Sequence, residues 1–267
     1  MSAAPPLPFE IAVVGLGIKG IHQLSREGEE TIRRCAQTFV ADSSPGVVEH
    51  LRTISPQVVD LADRFRGGAH RAEIYRGIAS EVVAVALESP PVCFAVYGHP
   101  TVYSYPTALV QRAAAILDLR VSILPGISFL DTLFVDLGLD PGFDGLQLYE
   151  ATDLLARRRP LQPDVPCVIA QAPAVGDPAE RQSYANIDSI ARLQEYLLTF
   201  YPADHAVILV VSAPHPLVAP IRRTMALSNL ATVLAAGPRS ATLYLPPIQR
   251  RPIADTEFAD RIRQRSE

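Results

Sequence analysis

The stretch that most constrains the fold runs from an apolar strand through a glycine-containing loop into a helix. Residues 91–96 form an apolar run that is typical of a buried strand in a parallel sheet. The loop 97–106 follows, and residues 107–117 have the spacing and composition of a helix. Ligands of open α/β sheets bind at the carboxyl ends of the strands, where Gly98 would let a backbone approach a ligand. The stretch therefore predicts an α/β fold with a binding loop at 97–106.

Aromatic side chains are concentrated in this loop, where Tyr97, Tyr103 and Tyr105 lie close together. Their flat π faces and hydroxyl groups suit a cationic ligand, because cations are attracted to the face of an aromatic ring. An ordinary strand-to-helix turn with tyrosines packed on the surface is the alternative interpretation.

Two further glycine loops follow strand-like runs. Residues 15–20 match G-x-G-x-x-G after a short apolar run, and Asp42 ends a second run about 20 residues later. This arrangement is compatible with a nicotinamide or flavin dinucleotide site, although glycine favours any tight β-to-α turn. Gly126 follows a third predicted strand at 119–124. A dinucleotide-dependent enzyme is therefore an alternative, but it gives no role to the loop 97–106.

Arg71 and Tyr75 form a second candidate site. They are spaced i, i+4 in the first turns of a helix predicted for residues 69–87, so they share one helix face. A guanidinium beside a phenol favours the phenolate and makes the tyrosine a better base. A surface arginine whose stem packs on the tyrosine ring is the commoner structural outcome.

Prolines between residues 160 and 166 indicate a linker. After the linker, strands are predicted at 167–171, 206–211 and 241–245, and a helix at 187–201. We therefore predict an N-terminal α/β domain at 1–160, a C-terminal α/β domain at 161–250 and a mobile tail at 251–267.

Composition excludes several classes of function. Hydrophobic residues make up 48% and charged residues 19% of the chain, which indicates a folded globular protein. A formal net charge of −4 argues against a general nucleic-acid surface. Residues 157–159 are three consecutive arginines, which we interpret as the solvated end of a helix, where cations suit the helix dipole.

The three cysteines, Cys35, Cys93 and Cys167, are widely separated, and no Cys/His spacing is typical of a metal site. We predict buried, reduced thiols, which fit a cytoplasmic location, and no metal. The first eight residues lack the regions of a signal peptide, and no apolar run approaches the roughly 20 residues that span a bilayer. We therefore expect a soluble protein without membrane contacts.

Four short segments together resemble the tetrapyrrole (corrin/porphyrin) methylase superfamily. They are Val-Gly-Leu-Gly-Ile at 14–18, Tyr-Gly-His-Pro at 97–100, Leu-Pro-Gly-Ile-Ser at 124–128 and Leu-Tyr-Leu-Pro-Pro at 243–247. Residues 139–154, followed by Arg-Pro at 159–160, resemble the borosin-type peptide backbone α-N-methyltransferases within that superfamily. The likeness runs from about residue 11 to residue 247. His99 departs from the tetrapyrrole enzymes, which usually carry an aspartate there.

The resemblance implies a two-domain, tetrapyrrole-methylase-like α/β fold that binds S-adenosylmethionine in the cleft between the domains of a homodimer and releases S-adenosylhomocysteine. The positions that match cofactor-binding residues of the family are Tyr97, His99, Val102, Tyr103, Ser128, Phe129, Gln171, Ser212 and Thr242. The tyrosine faces would meet the sulfonium cation, and backbone groups would bond the adenine and methionine ends.

The resemblance assigns Arg71 and Tyr75 to catalysis. An amide nitrogen is a poor nucleophile because its lone pair is delocalised into the carbonyl, so it must lose its proton or have its oxygen polarised. Arg71 would polarise the carbonyl or support a phenolate, and Tyr75 would act as the base. Ala62 and Phe65 stand where the family carries further tyrosines, so those hydroxyls are absent here.

The implied function is α-N-methylation of backbone amides in a ribosomal precursor peptide. Residues 248–267 contain no apolar core-peptide stretch, so we expect the precursor in trans, bound to a homodimer or in a heterotetramer. The alternatives are methylation of a tetrapyrrole or another small acceptor, a cofactor-binding subunit with weak or no activity, and, more remotely, a dinucleotide-dependent oxidoreductase.

Overall fold

Short apolar strands alternate with amphipathic helices along the chain. The computed structural model describes residues 7–42, 44–65, 70–178 and 186–263. The strands are β1 Ile11–Gly15, β2 Gln37–Ala41, β3 Val58–Asp60, β4 Val92–Val96, β5 Val121–Leu124, β6 Gln147–Glu150, β7 Cys167–Ala170, β8 Ala206–Val211, β9 Ile221–Ala226 and β10 Thr242–Leu245. The helices are α1 Arg26–Arg34, α2 Val47–Ile54, α3 Arg71–Glu88, α4 Tyr105–Ile116, α5 Phe129–Leu137, α6 Pro141–Asp144, α7 Ala151–Arg157, α8 Ile187–Leu198, α9 Leu230–Ala236 and α10 Thr256–Arg263.

The described residues divide into two compact units. The first contains the chain up to residue 139 with residues 177–178 and 212–221, and the second contains most of the remainder. The domain boundary that the sequence analysis places at residue 160, and the assignment of 251–267 as a mobile tail, stay predictions. Residues Thr256–Arg263 of that segment form α10.

The sheet of the first unit is entirely parallel, in the order β3-β2-β4-β1-β5. One face is buried by α3 and α4 through residues such as Ile78 and Val110, and the other by α1 and α2 through residues such as Ile32 and Leu51. Each fully buried side chain of this size contributes about 1.5–3 kcal/mol. The order places the carboxyl ends of β4, β1 and β5 side by side.

The sheet of the second unit is mixed, in the order β6-β7-β10-β8-β9. Strand β6 is parallel to β7, whereas β10 is antiparallel to both β7 and β8. Helices α7, α8 and α9 bury this sheet through Leu154, Leu193 and Leu234. Strand β9 was missed in the sequence analysis because it is an edge strand whose first four residues are exposed, so it lacks an apolar pattern.

Several sequence-based predictions are confirmed. The fold is α/β, and all three cysteines are free and buried. The arginine run does lie at a helix end, since α7 ends at Arg157 and Arg158 is its C-cap. Within the described residues, no helix is long and apolar enough to cross a membrane.

Candidate functional site

Three loops of the first unit meet at the carboxyl edge of its sheet. Gly17 and Gly98 form an antiparallel bridge, in which Gly17 N–H donates to Gly98 O at 3.3 Å and Gly98 N–H donates to Gly17 O at 2.9 Å. A Cβ on Gly126 would lie 2.5 Å from Gly98 O and 2.7 Å from Gly15 Cα. The loops after β1, β4 and β5 are therefore packed backbone against backbone.

This packing gives a physical reason for Gly15 and Gly126, whose added Cβ atoms would lie within 2.7 Å of the backbone of a neighbouring loop. At Gly98 an added Cβ would meet only Ile18, at 3.8 Å, and the close approach of a ligand there stays a prediction. Gly98 has φ +71°, a left-handed conformation that side chains disfavour. Backbone contact thus brings the three loops together, and the side chains of Tyr97 and Tyr103 are partly exposed.

The G-x-G-x-x-G segment is not arranged to bind a diphosphate. The Gln23 side-chain oxygen accepts hydrogen bonds from Ile18 N–H at 2.7 Å and Lys19 N–H at 2.9 Å. The segment continues into a 3-10 turn at Gly20–Gln23, and α1 begins only at Arg26. In a dinucleotide fold, such N–H groups and a helix N-terminus face the pyrophosphate. Gln23, which the sequence analysis missed, occupies these donors.

Asp42, the ribose-binding candidate of that alternative, is 5% exposed. One carboxylate oxygen accepts Ser44 N–H at 2.7 Å, and the other has no hydrogen-bond partner among the described residues. Burial raises the pKa of Asp42, although the hydrogen bonds from Ser44 oppose that effect. The neighbouring Tyr97 is half exposed, yet desolvation and then the charge of Asp42 raise the pKa of its phenol to about 12. Tyr97 therefore retains its proton near neutral pH, so it is a hydrogen-bond donor and not a base.

His99 has a defined ring orientation. Its Nδ1 accepts Thr101 N–H at 3.2 Å and lies 3.1 Å from Thr101 Oγ1. Because Nδ1 acts as an acceptor, the neutral ring carries its proton on Nε2 and can donate it to a ligand. An aspartate at this position would accept the same N–H in an Asx turn, so histidine keeps the turn and adds a donor.

Tyr103 and Phe129, two of the predicted cofactor-binding residues, are in aromatic contact although they follow different strands. Their ring centroids are 5.9 Å apart and the planes are tilted by 34°. Tyr103 has φ +53°, an uncommon conformation for a bulky residue that is typical of functional sites. Val102, between His99 and Tyr103, is half-buried and donates its N–H to His99 O at 3.2 Å.

The hydroxyl groups of the two predicted serines are engaged within the protein. Ser128 caps α5 in a capping box, in which its Oγ donates to Asp131 Oδ2 at 2.8 Å and accepts Leu130 N–H at 3.2 Å. Ser212 Oγ donates to Asp136 Oδ2 at 2.7 Å. Both hydroxyl groups are engaged within the protein, so the predicted role of these serines in ligand binding would use the backbone or a remaining lone pair.

The second unit carries the other two predicted cofactor residues. Gln171, directly after β7, is exposed and has φ +56°, so it is a second non-glycine residue in the left-handed region. Thr242 begins β10 and is 8% exposed. Both lie at the ends of adjacent strands, because β7 and β10 are paired.

Arg71 and Tyr75 lie one turn apart at the start of α3, as predicted. Arg71 N–H donates to Pro178 O at 3.1 Å, and His70 caps the helix through Nδ1. A cation in the first turn opposes the helix dipole at a cost of about 0.3–1 kcal/mol, which favours a functional reason for Arg71.

Tyr75 is half-buried among aromatic rings. The centroids of Phe65 and Tyr105 each lie 6.2 Å from that of Tyr75. Ala62 and Phe65, where the resemblance predicts tyrosines, belong to a 3-10 turn at Ala62–Phe65. Tyr105 was not assigned to the site from the sequence, although its place in the tyrosine-rich loop pointed to it.

The chain is similar to methyltransferases that carry their own precursor peptide. The methyltransferase/gymnopeptides precursor of Gymnopus fusipes is 29% identical over 89% of this chain and 57% of that protein. The methyltransferase/omphalotin A precursor of Omphalotus olearius is 28% identical over 90% and 58%, respectively. A methyltransferase/type III borosin cyclic peptide precursor of Anomoporia bombycina is 29% identical over 97% and 31%. This chain therefore spans less than two thirds of each of these relatives, and the predicted borosin resemblance is confirmed.

Solved structures share the fold. Uroporphyrin-III-C-methyltransferase from Thermus thermophilus has a TM-score of 0.62 at 18% identity, covering 89% of this chain and 91% of that one. Cobalt precorrin-4 methyltransferase has a TM-score of 0.60 at 14% identity, covering 88% and 94%. The family model of tetrapyrrole (corrin/porphyrin) methylases matches residues 10–213. The chain belongs to the tetrapyrrole methylase family.

Proposed function

We propose that this chain is an S-adenosylmethionine-dependent methyltransferase that methylates backbone amide nitrogens of a peptide. The observation that carries the proposal is the pairing of Arg71 with Tyr75 on the first turns of α3, in a chain similar over about nine tenths of its length to methyltransferase/peptide precursors. Family membership supports the methyl-transfer chemistry, and the named relatives support the peptide acceptor.

The residues of the first unit fit the cofactor. Tyr97 and Tyr103 expose aromatic surface at the sheet edge, which attracts a sulfonium cation. His99 offers an Nε2–H donor whose direction is fixed by the Thr101 hydrogen bond. Gln171 and Thr242 of the second unit complete the proposed set. When bound, S-adenosylmethionine supplies an activated methyl group.

Arg71 and Tyr75 act on the acceptor amide. Arg71 donates to the amide carbonyl oxygen, which draws charge from the nitrogen and weakens its bond to the proton. The Arg71 cation also favours the phenolate of Tyr75, which takes the amide proton as the nitrogen–carbon bond forms. S-adenosylmethionine would supply the methyl group and would leave as S-adenosylhomocysteine, and Tyr75 passes the amide proton to solvent. Holding the reactants in line contributes as much as roughly 7–11 kcal/mol.

The aromatic neighbours of Tyr75 position its ring. Phe65 keeps the packing of a tyrosine beside Tyr75 but carries no hydroxyl to hold or relay a proton. We therefore propose a slower enzyme than one with hydroxyls at positions 62 and 65.

The peptide acceptor is, in our proposal, a separate precursor that binds a homodimer of this chain, with a heterotetramer as one possible assembly. The relatives combine enzyme and precursor in one protein, so the peptide specificity has a precedent in each of them. Size-exclusion chromatography of the mixed proteins tests the assembly, because a lack of co-migration contradicts stable binding.

The decisive experiment is an intact-mass spectrum of the product of a small neighbouring open reading frame, co-expressed with this chain. A ladder of added methyl masses, localised to backbone nitrogens by fragmentation, would establish peptide N-methylation. Isothermal titration with S-adenosylmethionine and with a nicotinamide dinucleotide runs in parallel. Cofactor binding without added mass would refute the peptide acceptor, and dinucleotide binding alone would refute the proposed cofactor.

A further inference from the structure

A groove of about 720 Å³ lies within the second unit, between α7 and α8. Its lining includes Leu155 and Arg158 from the α7 side, Arg192 and Tyr196 from α8, and the turn at Val175–Gly176. None of the predicted cofactor residues lines it. The turn follows Gln171 by only a few residues, through the 3-10 turn Ala172–Ala174.

The three consecutive arginines at the end of α7 have different environments. Arg157 Nε and Arg159 Nε each lie 2.6 Å from an oxygen of Asp153, so one carboxylate engages both. Arg158 forms no ion pair within the described part of the chain and lines the groove. The run therefore presents one uncompensated cation to the groove.

The backbone of Arg158 is strained in a way that favours glycine. It has φ +47° and ψ +51° at the helix C-cap, where its N–H donates to Leu155 O at 3.2 Å and Arg159 N–H donates to Leu154 O at 3.2 Å. Glycine is the usual residue in this left-handed position because it has no Cβ. An arginine here gives up backbone stability, and strain of this kind accompanies functional positions.

A second cation faces the groove from α8. Arg192 is exposed and, in the described residues, has no carboxylate within ion-pairing distance. Glu195 is the one acidic residue among the groove's lining residues. The groove thus carries a net positive charge in a chain whose formal net charge is −4.

The remaining lining is partly apolar. Val175 is buried, and Leu155 and Tyr196 are half-buried. The Tyr196 hydroxyl donates to Arg159 O at 2.9 Å, so the aromatic ring is what this residue presents. Two helices flanking an apolar strip accept an amphipathic segment with apolar groups at i, i+3 and i+4 spacing.

We propose that this groove binds an acidic, partly apolar peptide segment, whose carboxylates pair with Arg158 and Arg192 and whose apolar side chains cover the exposed parts of Leu155 and Tyr196. This inference rests on the proposed function: the segment that binds the groove belongs to the precursor peptide and lies outside the residues that are methylated. Carboxylates match guanidinium groups in charge and in bidentate geometry.

Fluorescence anisotropy tests the proposal without any turnover. The probe is a fluorescein-labelled peptide of about 18 residues with leucine and alanine at the apolar positions and glutamate elsewhere; the comparison peptide carries lysine in place of glutamate. We expect the glutamate peptide to bind more tightly than the lysine peptide, and more weakly at about 0.3 M than at about 0.05 M salt. Equal binding of the two peptides would overturn the proposal.

Matched variants place the binding in the groove. Arg192→Glu is expected to raise the Kd of the glutamate peptide at least about tenfold, whereas Arg223→Glu, the same change on the exposed edge strand β9, is expected to alter it by less than about twofold. Arg158→Gly is expected to weaken binding while raising the Tm, because glycine relieves the left-handed strain. Equal losses in Arg192→Glu and Arg223→Glu would contradict the assignment.

Two further readouts separate this proposal from the proposed function and from other occupants. If the co-expressed precursor is methylated, Arg192→Glu should raise its KM and leave kcat unchanged, because none of the groove's lining residues belongs to the proposed catalytic pair or the proposed cofactor set. A change in sedimentation of Arg192→Glu alone would indicate that a second copy of the chain occupies the groove, and would refute peptide binding there. Absence of methylation with retained peptide binding would refute only the proposed function.

Discussion

Two regions of the first unit carry the proposed chemistry, and they are built differently. The loops after β1, β4 and β5, which carry the proposed cofactor residues, pack through glycine backbones, and the gaps at Gly15 and Gly126 are too small for a Cβ. The acceptor region, from the turn Ala62–Phe65 to the first turns of α3, is organised by aromatic side chains around Tyr75.

This difference shows which region tolerates change. Backbone packing at Gly15 and Gly126 accepts no Cβ without moving a loop, and the left-handed backbone of Gly98 disfavours any side chain. An aromatic cluster, by contrast, keeps its shape when a tyrosine becomes phenylalanine. The resemblance predicts tyrosine hydroxyls at Ala62 and Phe65, both in the tolerant region. We therefore expect the proposed cofactor site to keep its form while the acceptor region varies.

The largest expected effect tests the rigid region. Gly126→Ala places a Cβ 2.5 Å from Gly98 O and 2.7 Å from Gly15 Cα, so one of the loops must move. We expect a loss of about 3 kcal/mol or more in the free energy of unfolding, measured by urea denaturation, together with loss of cofactor affinity.

Gly77→Ala on α3 is the matched control for this loss. Its Cβ meets nothing within 4 Å, so the change is expected to stabilise the helix by about 0.5–1 kcal/mol. If Gly126→Ala were as stable as Gly77→Ala, the claim that the glycine loops cannot accept a Cβ would be wrong.

The next effect tests the acceptor region. Tyr75→Phe removes the proposed base and keeps the ring contacts, so methyl transfer should fall by at least about 10²-fold while the Kd for S-adenosylmethionine stays within about twofold. Single-turnover assays and isothermal titration measure the two quantities. The control is Tyr105→Phe, which removes a hydroxyl from the adjacent ring and is expected to leave most of the activity. Unchanged turnover in Tyr75→Phe would remove Tyr75 from the mechanism.

The two regions also differ in how far the sequence predicted them. The strand–glycine–helix pattern identified the loop at Gly98 and the edge of the sheet, because glycine and apolar runs report backbone geometry locally. Hydrogen bonds such as those of Gln23 and Ser212 depend on the path of the chain and were not predictable from residue type. Strand β9 was missed because Arg222 and Arg223 interrupt its apolar pattern on an exposed edge.

A smaller effect is expected when a hydroxyl is added to the acceptor region instead of removed from it. Phe65→Tyr restores a hydroxyl beside Tyr75, whose ring centroid is 6.2 Å away, and is expected to raise the rate of methyl transfer by up to about tenfold with little change in stability. Initial rates of precursor methylation measure this gain. Phe143→Tyr, at a ring that is 80% exposed in the second unit, controls for the added hydroxyl. An unchanged rate in Phe65→Tyr would show that the missing hydroxyl has no part in the reaction.

The smallest effect concerns Asp42, the buried carboxyl at the edge of the rigid region. Because burial raises its pKa in the folded protein, the native state binds the proton more tightly than the unfolded state, and stability falls as pH rises from the usual aspartate range, near 4, through the raised value. Asp42→Asn removes this penalty, so the variant should gain about 1 kcal/mol over the wild type at about pH 8 and less at about pH 4, measured by urea denaturation. The reverse slope is expected for Asp164→Asn, since the hydrogen bond from Arg251 lowers the pKa of Asp164 and its contribution is lost on acidification. Parallel pH profiles for the two variants would contradict this prediction. They would mean that the surrounding loops stabilise the charged form of Asp42, so that its burial does not lower the stability of the folded protein.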